Sequence, residues 1–353
     1  MKDLAGNDTG IALAGKAPAR AATRPGPPRT GGARTLHLLV TSAGRRVELI
    51  GCFRSAAAEL GIRLVVHAAD MRPDLSAACH VADRAHRVPP CGDGYPEALR
   101  QLCQANAIDL LVPTIDPELL PLARSREAFA KAGTRVAVGD VSAVAIARDK
   151  LRTMEHLRAA GVPVPRTASL NDARFQPWRF PGPLIVKPVA GSAGHGVRRI
   201  DKAADLPGAG AIPTMVQERL EGPEYTLNAF VDESGQLRAA IPHRRLSVRA
   251  GEVEKGVTVR DPRLAALARA VHAALPGLYG ASCFQLIDDP IRGPRVFEIN
   301  ARFGGGYPLA DRAGGRFARW LLEETICAAS TAGDGWTDGV TMLRYDAAVF
   351  ADG

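Results

Sequence analysis

The stretch "VFEINARFGGG" (residues 296–306) sets Glu298, Asn300 and Arg302 on alternate positions and then three glycines. In an extended strand these three side chains share one face, and Phe297, Ile299 and Ala301 share the other. The second set packs; the first points outward. In the preceding "GASCFQLID", Cys283, Gln285 and Ile287 alternate in the same way. If the two segments pair as a hairpin, Gln285 lies beside Glu298. Amide oxygens and one carboxylate on neighbouring strands suit a hard cation such as Mg²⁺, which fills the rest of its shell with water and phosphate oxygens. Arg302, one step on, has the planar fork that grips a phosphate or carboxylate. Taken alone, the same residues also read as a solvated, salt-bridged sheet face.

A second signal is "IVKPVAGSAGHGV". Lys187 ends an apolar strand, and Gly191, Ser192, Gly194 and Gly196 follow. Glycines let backbone N–H groups turn toward phosphate oxygens. In a Walker loop the lysine follows the glycines; here it precedes them. A strand follows, so the loop reads as a flap over phosphates, or as an ordinary glycine-rich hairpin. In "VQERLEGPEYTL", Glu218 and Glu224 bracket a turn. The linker could offer backbone groups to a purine edge, and Glu224 could accept both ribose hydroxyls; otherwise the two are exposed glutamates. In "ARDKLRTMEHL", Lys150 follows Asp149 at a helix start and could add a second cation for phosphates.

These residues need elements to position them. Thr35–Val40 reads as a buried strand, followed by a turn at Gly44 and a helix carrying Val47, Ile50, Phe53, Ala57 and Leu60 at helical spacing. "IRLVVHAAD", a helix around 95–106, "IDLLVPT", another helix and "TRVAVGD" continue the alternation, which implies a parallel sheet covered by helices. Ligands of such sheets sit beyond the strands' carboxyl ends, here Thr41–Arg46, Asp70 and Thr114–Glu118. From Asp149 the texture turns to antiparallel α+β. The segment 214–248 reads as three successive strands, "DPRLAALARAVHAAL" as a helix, and "GVTMLRYDAAVFA" as a last strand.

The bulk figures narrow the class. The 353 residues are 46% hydrophobic, enough for two or three packed domains. The formal net charge is +8. Six basic against two acidic residues in 1–34 supply half of it, in an Ala/Gly/Pro/Arg-rich stretch that reads as a disordered extension. No dense basic run interleaves with aromatics, so nucleic acid is not an expected partner. No apolar run approaches membrane-spanning length. The six cysteines form no CxxC pair and read as free thiols of a reducing cytoplasm. No HExxH or GxSxG motif is present.

Together and in this order, "RDK" (148–150), "IVKP" with its glycine loop, "QE…GPEYT" and "Q…EIN.R" resemble the ATP-grasp superfamily, nearest the carbamoyl-phosphate-synthase-like branch that includes amino-acid ligases. "VPTIDPEL" and "NARFGGGYPLADRAGG" add to the likeness. It implies an N-terminal pre-ATP-grasp α/β domain (35–145) and a two-subdomain ATP-grasp domain (146–330, lid about 152–217), then a C-terminal strand and tail (331–353). It further implies ATP and Mg²⁺, with Mn²⁺ as an alternative. Lys150 and Lys187 match phosphate-contacting lysines, and Glu218 with the Arg219–Leu220 backbone matches the adenine edge. Glu224 matches the ribose contact, and Gln285, Glu298 and Asn300 match the metal positions. Arg302 matches the arginine beside the transferred phosphate. Many relatives carry an acidic residue where Gln285 stands, so a neutral ligand lowers the charge of this site.

The implied activity is an ADP-forming carboxylate–amine ligase acting through an acyl phosphate on amino-acid-like small molecules. The alternatives are carbamoyl- or carboxyl-phosphate formation from bicarbonate and a non-catalytic nucleotide-binding protein. For the acceptor site Gly305 is a candidate, with Arg244 or Arg245 toward a carboxylate and Asp116 or Glu118 toward an ammonium. A homodimer is left open beside a monomer.

Overall fold

A computed structural model describes residues 34–191 and 196–351. The extension expected for 1–34 therefore lies outside the described residues except for Arg34, as do Ser192 and Gly194.

Three sheets organise the chain. In the first, strands run in the order Arg84–Arg87, Arg63–Asp70, Thr35–Thr41, Leu110–Pro113, Arg135–Val136, and every pairing is parallel. Helices cover both faces, which is why the central strand is a nearly unbroken apolar run with Leu36, Leu38, Leu39 and Val40 buried. The helix Val47–Glu59 buries Leu49, Ile50, Phe53, Ala56 and Ala57 against it. The chain leaves Thr35–Thr41 toward one side of the sheet and later returns to its other side. The ends of Thr35–Thr41 and Leu110–Pro113 therefore flank a topological switch point, where such sheets open a crevice.

The second sheet has four antiparallel strands, in the order Thr167–Ser169, Thr214–Glu218, Leu184–Pro188, Arg198–Ile200. Its small core holds Leu170, Phe180, Leu184, Val186 and Val216. The third has six, in the order Gly293–Asn300, Gly280–Asp289, Glu224–Val231, Leu237–Arg249, Glu252–Thr258, Thr341–Leu343. The three successive strands expected over 214–248 form, but the first belongs to the small sheet and the other two to the large one. The linker between them passes Gly222, whose φ is +118° and whose Cβ, were there one, would lie 2.2 Å from the Asp288 carbonyl oxygen. Only glycine makes that turn this close to the neighbouring backbone.

Two helices, Tyr307–Arg312 and Phe317–Thr325, lie in a segment where no helix is expected above. They join the first sheet to the third. Phe53 meets Phe303 edge-on at 5.9 Å, Phe303 meets Tyr307 at 4.6 Å, and Phe230, Phe317 and Trp320 continue the aromatic cluster. Aromatic burial of this kind holds Arg302, next to Phe303, over the crevice of the parallel sheet. No helix among the described residues is long and apolar enough to cross a membrane.

Candidate active site

The three sheets meet at a cleft of about 650 Å³. The hairpin Gly280–Asp289/Gly293–Asn300 forms one wall. Its register sets Gln285 opposite Glu298 and Cys283 opposite Asn300, and Gln285, Glu298, Asn300 and Arg302 all line the cleft. Strict alternation fails at one residue. The register shifts at Gln285/Leu286, Val296 turns into the core, and Phe297 lines the cleft instead of sharing the packing face of Ile299 and Ala301. An extra residue on one strand of a pair flips the side chains beyond it, which accounts for the correction. Its ring lies beneath the Lys187 ammonium, 5.4 Å from centroid to Nζ.

Lys187 comes from the facing strand of the small sheet. It is buried, and its Nζ donates to Gln217 Oε1 at 3.1 Å. Burial, with the charge of Lys150 adding to it, brings its pKa down to about 8 against the pull of Glu298. Lys150 starts the helix Lys150–Ala159, which Asp149 caps by accepting the Arg152 N–H. Its Nζ lies 3.4 Å from Glu298 Oε1 and also donates to the Gly191 carbonyl. Two ammonium groups thus share one carboxylate, with a buried lysine short of negative partners: a site built for a polyanion. Only one of the three candidate metal donors is a carboxylate, and no cluster of three acidic, His or Cys ligands exists among the described residues. A cation held by Gln285, Glu298 and Asn300 would draw most of its shell from phosphate oxygens and water, as Mg²⁺ does with nucleotides. The donor set fits Mg²⁺ with a nucleoside triphosphate.

Arg302 is clamped. Its Nε and Nη2 donate to Asp116 Oδ2 at 3.1 and 2.7 Å, and Nη2 reaches Asn300 Oδ1 at 3.1 Å. Asp116 therefore faces the cleft as a partner of Arg302. Glu118 does not reach the cleft. It is fully buried and accepts from the Thr114 and Ile115 N–H groups, Tyr95 Oη and Ser42 Oγ. Burial pushes its carboxyl up, and its work is to tie the loops after Thr35–Thr41 and Leu110–Pro113 together.

At the linker, Glu218, Arg219, Leu220 and Glu224 line the cleft. Glu218 accepts the Arg166 N–H at 2.8 Å and pairs with Arg292 at 2.9 Å. The Arg219 N–H goes to Pro183 O, so it is not available to a purine edge. Glu224 pairs with Arg245, whose Nη2 also donates to Gly251 O. Arg245 is therefore committed to the protein, and Arg244 is exposed and outside the cleft lining. Arg244 is thus not brought to the cleft, and Arg245 lines it as the partner of Glu224. Gly191 lines the cleft, whereas Gly196 turns back over the Pro188 ring.

Sequence reasoning points to the segment Thr41–Arg46 without singling out Arg45 or Arg46, and it misses Glu252. Arg45 and Arg46 lie 3.4 and 3.1 Å from the Glu252 carboxylate. The two arginines sit where the switch-point rule points, directly after Gly44. Glu252 has no such local signal. Gly305 packs against it so closely that a Cβ would lie 2.5 Å from its carboxyl carbon.

Residues 38–137 match the family described as PylC-like, N-terminal domain, and residues 147–306 match the ATP-grasp domain. The chain belongs to the ATP-grasp superfamily. A D-alanine--D-alanine ligase of Marinobacter nauticus is 30% identical over 113 residues, which take in 30% of this chain and 35% of the ligase. The chain thus matches about a third of that relative's length. Among solved structures, the biotin carboxylase domain dimer of Hydrogenobacter thermophilus 2-oxoglutarate carboxylase, with MgADP, ADP and bicarbonate, superposes with a TM-score of 0.67 at 16% identity. It covers 86% of this chain and 72% of that one. The L-amino acid ligase of Bacillus licheniformis gives 0.65 at 18% identity over 85% and 76%. At these identities the likeness is one of fold. This ATP-grasp chain has the pre-ATP-grasp parallel domain and two antiparallel sheets that face the same cleft.

Proposed function

We propose that this ATP-grasp chain transfers the γ-phosphoryl group of ATP to an oxyanion of a carboxylate-type substrate, releasing ADP, and that an amine then captures the mixed anhydride. The observation that carries the reading is the convergence of Lys150 from a helix, Lys187 from the small sheet, and Glu298, Asn300 and Arg302 from the end of the large sheet's hairpin on one cleft. A substrate oxygen attacks the γ-phosphorus, and the bond to the bridging oxygen breaks toward ADP. The amine nitrogen then attacks the activated carbon, phosphate leaves, and the nitrogen gives up a proton. Lys150 and Lys187 hold the phosphates, Glu218 and the linker face the base, and Glu224, steadied by Arg245, faces the ribose. Arg302, fixed by Asp116, orients the accepting oxyanion and offsets its growing charge. Gln285, Glu298 and Asn300 would hold a Mg²⁺ ion, which would add to the neutralisation of the phosphates.

Two acids compete for the role of acceptor. Bicarbonate, giving carboxyphosphate, is favoured by the carboxylase domain whose structure holds MgADP and bicarbonate in the same fold. An amino-acid-like carboxylate, giving an acyl phosphate and an amide, is supported by the L-amino acid ligase and the D-alanine--D-alanine ligase. The carboxylase domain is a dimer, and a homodimer is the corresponding proposal for this chain. ADP release from MgATP discriminates between the acids. Release on bicarbonate alone supports the first, and release that needs an added amino acid supports the second. Nucleotide binding without turnover across both panels contradicts both and leaves a non-catalytic nucleotide binder.

A further inference from the structure

Beyond Arg302, the cleft runs to the switch point of the parallel sheet, and its character there is cationic. Arg45, Arg46 and Arg344 converge on the Glu252 carboxylate at 3.4, 3.1 and 3.3 Å. Arg344 also pairs with Glu48 at 3.2 Å and donates to the Gly305 carbonyl. Three guanidiniums against two carboxylates leave one positive charge uncompensated. Arg302 nearby does not change the balance, because Asp116 neutralises it.

Arg46 is where that excess is felt. Its side chain is 20% exposed and makes one ion pair among the described residues, through Nη1. A guanidinium has five donors in a planar fork, so most of the hydrogen-bonding capacity of this cleft-lining residue has no protein acceptor among the described residues. Burial, and then the charges of Arg302 and Arg45, work against its ionised form despite Glu252. Arg45 carries the same fork, paired with Glu252 alone, and is mostly exposed at the rim. Both line the cleft that holds Lys187 and Glu298. Glu252 itself shows what shape this corner accepts: a carboxylate, reached from several sides at once.

We propose that the organic substrate of this site carries an oxyanion, a carboxylate or a phosphate, remote from the reacting centre, and that Arg46 with Arg45 binds it at the switch point. The inference rests on the reading of the cleft as a site of ATP-dependent oxyanion activation. The oxyanion enters the fork of Arg46 on the side that Glu252 does not use. The distance between Arg46 and Arg302 then selects the length of the substrate, and substrates with an uncharged tail bind poorly.

Calorimetric titration of the full chain saturated with MgADP tests this without requiring turnover. The probes are succinate, 3-phosphoglycerate and, as the single-charge control, butyrate. The expected result is that succinate or 3-phosphoglycerate binds at least tenfold tighter than butyrate, their ranking telling carboxylate from phosphate. Arg46→Gln abolishes that preference while the MgADP affinity stays within twofold of wild type, which also shows that the variant is folded. Arg45→Gln, at an exposed position, weakens the preference by a smaller factor. Equal or absent binding of the three probes by the wild type overturns the proposal, as does a preference that survives Arg46→Gln. Failure of the wild type to bind MgADP overturns instead the nucleotide reading beneath it.

Discussion

Lys150 Nζ lies 3.4 Å from Glu298 Oε1 while donating to the Gly191 carbonyl. One ammonium therefore links the start of the glycine loop to the hairpin wall of the cleft. The same carboxylate is a candidate for a cation and a counter-ion for a lysine. On the proposed reading, Glu298 would be the carboxylate available to a metal–phosphate ligand, and Lys150 would be the cation left free for its phosphates.

Lys187 gives a pH prediction. Burial and Lys150 hold it down to about 8 in the ligand-free protein. Its charged form is the one that binds phosphate, so MgADP affinity should be flat below about pH 7.5 and fall as pH rises through 8. Titrations from pH 6 to 9.5 check this. Lys187→Arg, always charged, should move the break out of the range. Lys187→Ala should weaken MgADP at least tenfold at pH 7.

Gly222 lets the linker pass from the small sheet to the large one. Gly222→Ala places a Cβ 2.2 Å from the Asp288 oxygen at a φ of +118°. The cost should be about 2 kcal/mol or more, read from urea denaturation. Nucleotide affinity should fall with it, since Glu218 and Glu224 flank the turn.

His37, His67 and His86 form a ladder across three strands of the parallel sheet. By ring nitrogens His67 lies 3.1 Å from His37 and 2.9 Å from His86. Burial first, then the charges of His86 and His37, bring His67 down to about 4. A depressed histidine pKa means that the unfolded chain takes up a proton the folded one refuses. Stability is thus complete above pH 6.5 and is lost as pH falls from 6.5 toward 4, by about 1.4 kcal/mol per unit for this one group. His67→Gln should flatten that slope in urea midpoints measured between pH 4.5 and 7.

The sequence exposes most of the machinery where it depends on local pattern. Alternation along 280–302 places Gln285 against Glu298, and the apolar strand before the glycine loop places Lys187. It fails where the decisive partner is distant. The bulge that turns Phe297 under Lys187 depends on the count of residues in the opposite strand. Arg245 reads as a substrate ligand until Glu224, one strand away, is seen to hold it. Glu118 reads as a cleft acid until the loops it ties are in place. The corner around Glu252 draws on residues from 45 to 344, and no window of sequence contains it.

The central claim is that a metal–nucleotide complex is gripped between the lysines and Glu298. Its most direct test is the affinity for ADP with and without Mg²⁺, measured for wild type and Glu298→Ala. The account predicts that Mg²⁺ tightens ADP at least tenfold in the wild type. In the variant that gain should vanish, while metal-free ADP binds as well as before or better, because Lys150 has lost its counter-ion. An undiminished Mg²⁺ dependence in Glu298→Ala would contradict it.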